Sequence, residues 1–236
     1  MRSCAIHQPN LLPRLSTLAK LYAADVWVVL DDVQFVRRDY QHRARLAAFD
    51  DPKQQQWLSV ETHLPYGRAT LIRDAQLADP QRTARRLGQL PAQHYRVSPH
   101  WALLQSALDP VVHTVGEAAG TAAVAEATTR ALLNLLGWHG TIVRSSALAV
   151  SPGRSVRLAD LTTAVGADVY LCGTGGLRYL DRRPFTEQQL NVHAFRPPIA
   201  AESLWAGAAR ISALWALAAY GPSSVVAAFD TLRTAV

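Results

Sequence analysis

The sequence predicts an α/β fold: a mainly parallel sheet flanked by helices, with βαβ units at both ends of the chain and a helical C-terminal segment. Near the start, a short apolar run at 3–6 and a continuous apolar run at 26–30 enclose leucines at helical spacing between 15 and 22. A strand, a helix and a buried strand in this order are typical of a βαβ unit with a parallel strand pair. The same order returns between residues 141 and 171.

Helix and turn signals predict the remaining elements. Asp79-Pro80 is a typical helix start, Gly137 a typical helix end and Pro65-Tyr66-Gly67 a turn, around which we expect a hairpin or a sheet extension. No repeat or low-complexity linker divides the chain, so we expect residues 1–236 to form a single domain. Beyond the first βαβ unit, strands are expected at 57–62, 69–75, 141–146, 168–171 and 192–195, and helices at 80–90, 101–108, 117–136, 156–165, 211–219 and 223–232.

Composition excludes several classes of protein. Of 236 residues, 49% are hydrophobic and 18% are charged, which suits a chain with a substantial core rather than a disordered one. Two cysteines are too few for a disulfide scaffold or a zinc ribbon, and no leader or membrane-spanning run is apparent. We therefore expect a cytoplasmic protein without membrane association. The formal charge of +6 comes mainly from arginine, so nucleic-acid binding would require a basic face interleaved with exposed aromatic residues.

Polar residues follow the first two strands of the predicted sheet. His7, Gln8 and Asn10 follow the first, and Asp31 and Asp32 follow the second. Because the carboxyl ends of parallel strands share one edge, both groups are expected near a ligand there. One carboxylate or His7 would serve as a base, and adjacent aspartates are expected to point to opposite faces. The alternative is that Asn10 caps the following helix and His7 is a core residue.

Two further segments supply candidate binding residues. The basic segment 34–45, a loop or in one alternative a helix, carries arginines whose fork geometry suits phosphate or carboxylate. The glycine turn at 173–176 loosely resembles a phosphate-binding loop but matches neither established glycine motif. The alternatives are an exposed basic segment and a turn without a ligand. No metal site is predicted and the cofactor stays open; the candidate binding residues are Gln34, Arg38, Gln41, Arg43, Gly173, Gly175 and Gly176.

Several segments together resemble the WbqC-like protein family. They include His7-Gln8-Pro9-Asn10, the run from Ala24 to Phe35, and the run from Gly166 to Gly176. The sequence departs from the family pattern at Cys172, where the family tends to have serine. It also departs at 197–201 and at Trp215, which follows Ile211-Ser212-Ala213-Leu214 where the family pattern has an acidic residue.

The resemblance implies an enzyme of surface-polysaccharide or natural-product biosynthesis. We expect a transferase that moves an acyl, aminoacyl or nucleotidyl group onto a small polar substrate. His7, Asp31 or Asp32 would deprotonate the acceptor, and Arg38, Arg43 and the glycine turn would hold an anionic donor. The donor would be nucleotide-linked, carrier-protein-linked or tRNA-linked. The alternatives are an aminoacyl-tRNA-dependent transferase and a non-catalytic binding or assembly module of such a pathway.

Overall fold

The computed structural model describes residues 1–116, 120–198 and 203–234 of the protein. In chain order its strands are β1 (Ser3–His7), β2 (Val26–Val29), β3 (Arg43–Ala47), β4 (Gln55–Ser59), β5 (Thr62–His63), β6 (Gln76–Leu77), β7 (Thr141–Arg144), β8 (Val169–Gly173) and β9 (Asn191–Phe195). Five of them form a parallel sheet with the order β7-β2-β1-β8-β9. The predicted fold class is confirmed, and so is the parallel pairing of the first two strands.

Helices cover both faces of this sheet. They are α1 (Leu15–Tyr22), α2 (Pro80–Tyr95), α3 (Trp101–Val115), α4 (Thr121–Leu135), α5 (Arg154–Ala164), α6 (Thr174–Leu177), α7 (Arg183–Glu187), α8 (Ala213–Tyr220) and α9 (Pro222–Arg233). Within the described ranges, no helix combines the length and the apolar character needed to cross a bilayer.

The central strands bury both of their faces. In β2, Trp27 and Val29 pack into a core formed with α1, α4, α8 and α9, while Val26 and Val28 pack into a second core with α5 and α7. Successive side chains of a strand point to opposite faces, so a strand between two helical layers needs apolar residues at every position. The continuous apolar run that predicted this strand reflects that position in the middle layer.

The strand expected at 69–75 is wrong, although the short strands β5 and β6 pair antiparallel around the 65–67 turn. The strand β4 pairs antiparallel with β3, whereas 69–75 forms two short 3₁₀ turns instead of a strand. The backbone N–H groups of Ile72 and Arg73 donate to the carbonyls of Val33 and Asp31. Because the loop after β2 satisfies these groups, the segment does not pair with β4.

The basic segment is a loop over 35–42, as expected, but its last residues differ from the expected loop or helix. Residues 43–47 form β3, whose Ala44 and Leu46 are buried while Arg43 and Arg45 are half-buried on the other face. This alternation has the period of a strand. The arginines therefore lie on the outer face of a two-stranded hairpin.

Other boundaries shift by a few residues. Both α2 and α3 continue past an internal proline, Pro91 or Pro110, to end later than expected. The helix expected at 117–136 is α4, and residues 117–119 lie outside the described residues, as do 199–201 of the segment that departs from the family pattern. The strand expected at 141–146 ends at Arg144, where a 3₁₀ turn begins.

Candidate functional site

The carboxyl ends of β1 and β8 lie side by side where the strand order reverses. The chain passes from β1 to β2 and β7 on one side, then returns through α5 to β8 on the other side of β1. In open α/β sheets, ligands bind in the crevice outside the strand ends at such a point. His7 ends β1 and Gly173 ends β8. We call this region the switch-point site and define it by His7, Gln8, Lys20, Gln41 and Gly173.

His7 has a defined protonation state. Its Nδ1 lies 2.7 Å from the backbone oxygen of Gln8. A carbonyl oxygen only accepts hydrogen bonds, so Nδ1 carries the proton and Nε2 keeps its lone pair. Burial, followed by the positive charge of Lys20, holds the pKa of His7 well below its ordinary value. His7 is therefore a neutral imidazole at pH 7, with Nε2 as its basic atom.

Lys20 is a buried amine without a counter-charge. Its side chain extends from α1 and the residue is only 6% exposed. Its Nζ donates to the backbone oxygen of Ile6 at 3.5 Å, and a Cβ built on Gly173 would lie 3.9 Å from Nζ. No carboxylate of the described residues forms an ion pair with it. Burial lowers the pKa of Lys20 to about 8, so the amine is mostly charged at pH 7.

Lys20 is the functional candidate that the sequence patterns missed. A lysine in an amphipathic helix ordinarily indicates an exposed position. The available signal was compositional, since Lys20 and Lys53 are the chain's two lysines among 24 basic residues. An amine retained in an arginine-rich chain is a reason to consider a specific role, because an amine and a guanidinium differ in chemistry.

Buried amides line the turn beside this amine. Gln41 is fully buried and donates from Nε2 to Oε1 of Gln8 at 2.6 Å. Within the described parts of the chain, neither Oε1 of Gln41 nor Oδ1 of Asn10 has a hydrogen-bond partner. Asn10 is also not the cap of α1, because Arg14 occupies that position. Buried acceptors of this kind suit the N–H or O–H groups of a polar ligand.

The loop between β1 and α1 holds a strained backbone. Leu12 has a φ of 42°, in the left-handed region that a residue with a side chain rarely adopts. Its N–H donates to the Thr128 hydroxyl at 3.0 Å, and the N–H of Leu11 donates to the Tyr40 carbonyl at 2.9 Å. Contacts from α4 and from the turn before β3 therefore fix this loop from two directions.

Asp31 and Asp32 lie at the neighbouring β2 and β7 ends, and both are engaged by donors. Asp31 is 4% exposed and accepts hydrogen bonds from the Ser146 N–H at 3.0 Å and the Ser146 hydroxyl at 2.8 Å. Asp32 accepts from Ser145 and pairs with Arg157. Burial raises the pKa of Asp32, but the hydrogen bonds from Ser145 and Arg157 outweigh it and hold that pKa below its ordinary value.

The aspartates do not point to opposite faces. The Ser145 hydroxyl contacts Asp31 at 3.1 Å and also contacts Asp32. The alternation of a strand no longer applies here, because β2 ends at Val29 and both aspartates lie in the loop beyond it.

The candidates from the basic segment are dispersed. Gln34 is exposed and donates to the Arg68 carbonyl at 2.6 Å, away from the switch-point site. Arg38 is exposed, and its carbonyl accepts from Arg43. The guanidinium of Arg43 lies over the Trp57 ring, 4.4 Å from the centroid. Gln41 alone in this group reaches the switch-point site through a hydrogen bond, the one that it makes with Gln8.

The glycine turn follows β8 directly. None of Gly173, Gly175 and Gly176 has a positive φ, so backbone conformation does not explain them. A Cβ on Gly176 would lie 3.0 Å from the Cys172 sulfur, whereas one on Gly175 would meet open space. Cys172 is fully buried, as expected for a small core residue, and burial raises the pKa of its thiol. The turn leaves Gly173 beside Lys20 and Gly175 in the open.

A surface hollow elsewhere on the molecule offers less chemistry. A shallow hollow of about 610 Å³ is lined by residues of α5, the loop before it and Gln188. Its one carboxylate, Asp160, already accepts from the Ser151 N–H and from Gln188. Among the described residues, no three His, Cys, Asp or Glu side chains gather in a way that could hold a metal ion.

Comparison with known proteins places this geometry in a family. The model of the WbqC-like protein family matches residues 8–202. The chain belongs to the WbqC-like family. A similar relative is an uncharacterized protein of Mycobacterium tuberculosis, 24% identical over 195 residues that cover 83% of this chain and 82% of the relative. No solved structure gives a significant match. The family match begins at Gln8 and includes Lys20, Asp31, Asp32, Gln41 and Gly173.

Proposed function

We propose that this WbqC-like protein is a transferase that moves an acyl or aminoacyl group from an anionic donor to an amine or hydroxyl of a small polar acceptor. The observation that carries the proposal is the neutral His7 imidazole beside the uncompensated ammonium of Lys20 at the switch-point site. Its pathway would be natural-product or surface-polysaccharide biosynthesis, and the alternative is a non-catalytic module of that pathway.

His7 is the best placed of the three candidate bases. Its Nε2 holds a lone pair because Nδ1 is committed to the Gln8 carbonyl. The carboxylates of Asp31 and Asp32 accept hydrogen bonds from Ser145, Ser146 and Arg157, which occupy their oxygens. In this proposal the aspartates position the β7 end of the sheet, and His7 takes the proton.

Lys20 supplies the positive charge. A buried ammonium with a single backbone contact is costly unless an anion joins it. A carboxylate or phosphate of the donor, or the oxyanion that forms during acyl transfer, would provide that partner. An anion beside Lys20 would also offset the charge that lowers the pKa of His7 and so make His7 a stronger base when the donor is bound.

In the proposed transfer step, His7 moves the proton and Lys20 stabilises the negative charge. Nε2 of His7 accepts the proton from the N–H or O–H of the acceptor while the acceptor's lone pair forms a bond to the acyl carbon. Electrons of the carbonyl bond move to its oxygen, which Lys20 stabilises. When the carbonyl re-forms, the bond to the leaving group breaks and the leaving group takes the proton from His7.

Transfer assays with matched histidine variants test this proposal. The purified protein is incubated with acetyl-CoA, an aminoacyl-tRNA or a nucleoside triphosphate, together with a panel of amino acids and amino sugars, and acceptor masses are followed. Since His7→Gln removes the base, we expect it to slow transfer by about 10²- to 10⁴-fold, with unchanged thermal unfolding. The control is His139→Gln, which alters an exposed histidine.

Three results would overturn the proposal. If His7→Gln transfers as fast as the unchanged protein, His7 is not the base. If no donor loses its group to any acceptor, the non-catalytic module becomes the better account. Incorporation of a nucleotidyl group instead of an acyl group would also reject the proposed reaction.

A further inference from the structure

Three arginines and two aromatic rings form a continuous row on the outer face of the β3–β4 hairpin and the start of α1. Arg14 lies over the Tyr40 ring at 4.3 Å, and the Tyr40 and Trp57 ring centroids are 6.0 Å apart. Arg43 and Arg45 lie over Trp57 at 4.4 and 4.5 Å. We call these five residues the arginine–aromatic track. All five are half-buried, which holds the guanidinium groups and rings in place.

Among the described residues, no carboxylate forms an ion pair with the arginines of the track. Arg14 donates to the Ala209 carbonyl and Arg45 donates to the Gln55 side chain, and both acceptors are neutral. Arg43 donates to two backbone carbonyls. By contrast, carboxylates pair with arginines elsewhere in the described chain, namely Arg73, Arg82, Arg130, Arg144, Arg157, Arg183 and Arg233. The track is therefore a place where an external anion meets arginine charges that the fold has left uncompensated.

The track begins at the switch-point site. Arg14 occupies the N-cap of α1, the helix that carries Lys20. Its positive charge contributes to lowering the pKa of both His7 and Lys20. Tyr40 precedes Gln41, whose side chain bonds to Gln8. A chain-like anion lying along the track would thus have one end beside His7 and the remainder along β3 and β4.

The alternation of cations and rings favours a nucleic-acid strand over a single small anion. Proteins that bind single strands combine positive charges that follow the phosphates with aromatic faces or arginine planes on which bases stack. A lone phosphate would need arginines that converge on one point, whereas Arg14 and Arg45 lie at opposite ends of the two-ring row. Exposed Arg37 and Arg38 extend the positive surface beside it.

We propose that the arginine–aromatic track binds single-stranded RNA and leads the aminoacylated 3′ end of a tRNA to His7. Binding of RNA by the track stands on the geometry above, whereas the delivery of an aminoacyl group rests on the proposed function. The ester at the 3′ end would be the bond that breaks during transfer, with the ribose hydroxyl as the leaving group that takes the proton from His7.

A binding experiment tests the track without any assay of transfer. Fluorescence anisotropy is measured with a labelled RNA hairpin that ends in a four-nucleotide ACCA single strand, and with the same hairpin lacking that single strand. We expect the single-stranded end to tighten binding at least 10-fold. Arg43→Gln combined with Arg45→Gln should weaken binding at least 10-fold and reduce the slope of log K against log salt by about 1.4, at about 0.7 per lost phosphate contact.

The matched control removes the same charge from another surface. Arg85→Gln combined with Arg96→Gln alters two exposed arginines on and just after α2, outside the track. This control should leave the preference for the single-stranded end unchanged. Circular dichroism and thermal unfolding of both double variants verify that they are folded.

The proposal fails if both hairpins bind equally, or if the control weakens binding as much as the track variant does. It also fails if ATP or coenzyme A, rather than RNA, requires Arg43 and Arg45 for binding. These failures would leave the chemistry at His7 intact, because a donor without RNA could still be used there.

Discussion

The two ends of the same sheet edge differ in whether their buried charges have partners within the protein. At the β2–β7 end, Asp31 and Asp32 are surrounded by serine donors and Arg157, so their negative charge is met within the protein. At the β1–β8 end, Lys20 is buried with one backbone contact, and no carboxylate in the described part of the chain pairs with it. Arg14 beside it also lacks a carboxylate among the residues described.

This difference indicates which end of the sheet edge is suited to bind a ligand. A buried charge whose hydrogen bonds are complete stabilises the fold and leaves little capacity for a substrate. A buried charge whose partner is missing costs stability, and such a cost is typical of functional sites. Asp31 and Asp32 are residue types that are common in catalytic sites, but their charges are already paired. Lys20 is the buried charge that still needs a partner, as a ligand-binding site requires.

The largest stability change is expected from removing the Lys20 amine. Its pKa in the folded protein is about 8, below the ordinary 10.5, so the unfolded chain binds more protons between these values. Stability should therefore rise with pH from about 8 to 10.5, and the penalty should be fully present below 8. Lys20→Met should be more stable than the unchanged protein at pH 7, on the order of 3 kcal/mol.

Urea unfolding at pH 7, 9 and 10.5 measures this effect. The stability difference between the two proteins should shrink as pH rises through the window. The control is Lys53→Met, which alters an exposed lysine and should give a constant small difference. A Lys20→Met protein that is less stable at pH 7 would show that the amine already has a partner.

A smaller change, a loss of stability, is expected from Asp31→Ala at the β2–β7 end of the sheet edge. This change leaves the Ser146 N–H and the serine hydroxyls without their acceptor in a buried place. We expect a loss of about 2 kcal/mol, because each unsatisfied buried donor costs roughly 1–3 kcal/mol. Chemical denaturation gives the value, and a loss below 0.5 kcal/mol, about the size of an ordinary surface change, would contradict the structural role of Asp31.

The smallest change is expected from Asp32→Asn, and only above acidic pH. The pKa of Asp32 is lowered in the folded protein, so its contribution is present above the ordinary value of 3.8 and is lost as pH falls through the folded value. At pH 7 the variant should be about 1 kcal/mol less stable, since Asp32 is partly exposed and pairs with Arg157. Thermal unfolding from pH 7 to pH 2 should show this difference vanish, and a constant difference would exclude the ion pair as its source.

The sequence predicted the sheet well because the signals of its strands are local. Residues 3–6 and 26–30 are apolar at every position that the two helical layers cover, and this pattern is visible without the rest of the chain. The strand expected at 69–75 was wrong because the hydrogen-bond partners of a backbone segment depend on tertiary contacts. The carbonyls of Asp31 and Val33, about forty residues away along the chain, take the N–H groups of 72 and 73.

The candidate site was predicted in part for a similar reason. His7 and Gln8 follow a strand that the sequence identifies, and their position at the sheet edge follows from that strand. Lys20 was missed because its burial is non-local: its amine lies against the Ile6 carbonyl of β1 and beside Gly173, which is far away along the chain. The arginine–aromatic track was missed because Arg43, Arg45 and Trp57 share a face only once β3 and β4 pair.

The protonation state of His7 can be measured without a substrate, so it tests directly whether this ring is a neutral base at the switch-point site. Imidazole ¹⁵N shifts of the protein are recorded by NMR from pH 8 to pH 4, with His7→Gln to assign the resonance. We expect a neutral ring with the proton on Nδ1 at pH 7. The ring should stay neutral until the pH is well below the ordinary pKa of 6.5. In Lys20→Met, where the neighbouring charge is gone, the pKa of His7 should rise. A doubly protonated ring at pH 7, or the same pKa in both proteins, would contradict the claim that burial and the Lys20 amine keep His7 neutral, with Nε2 free to accept a proton.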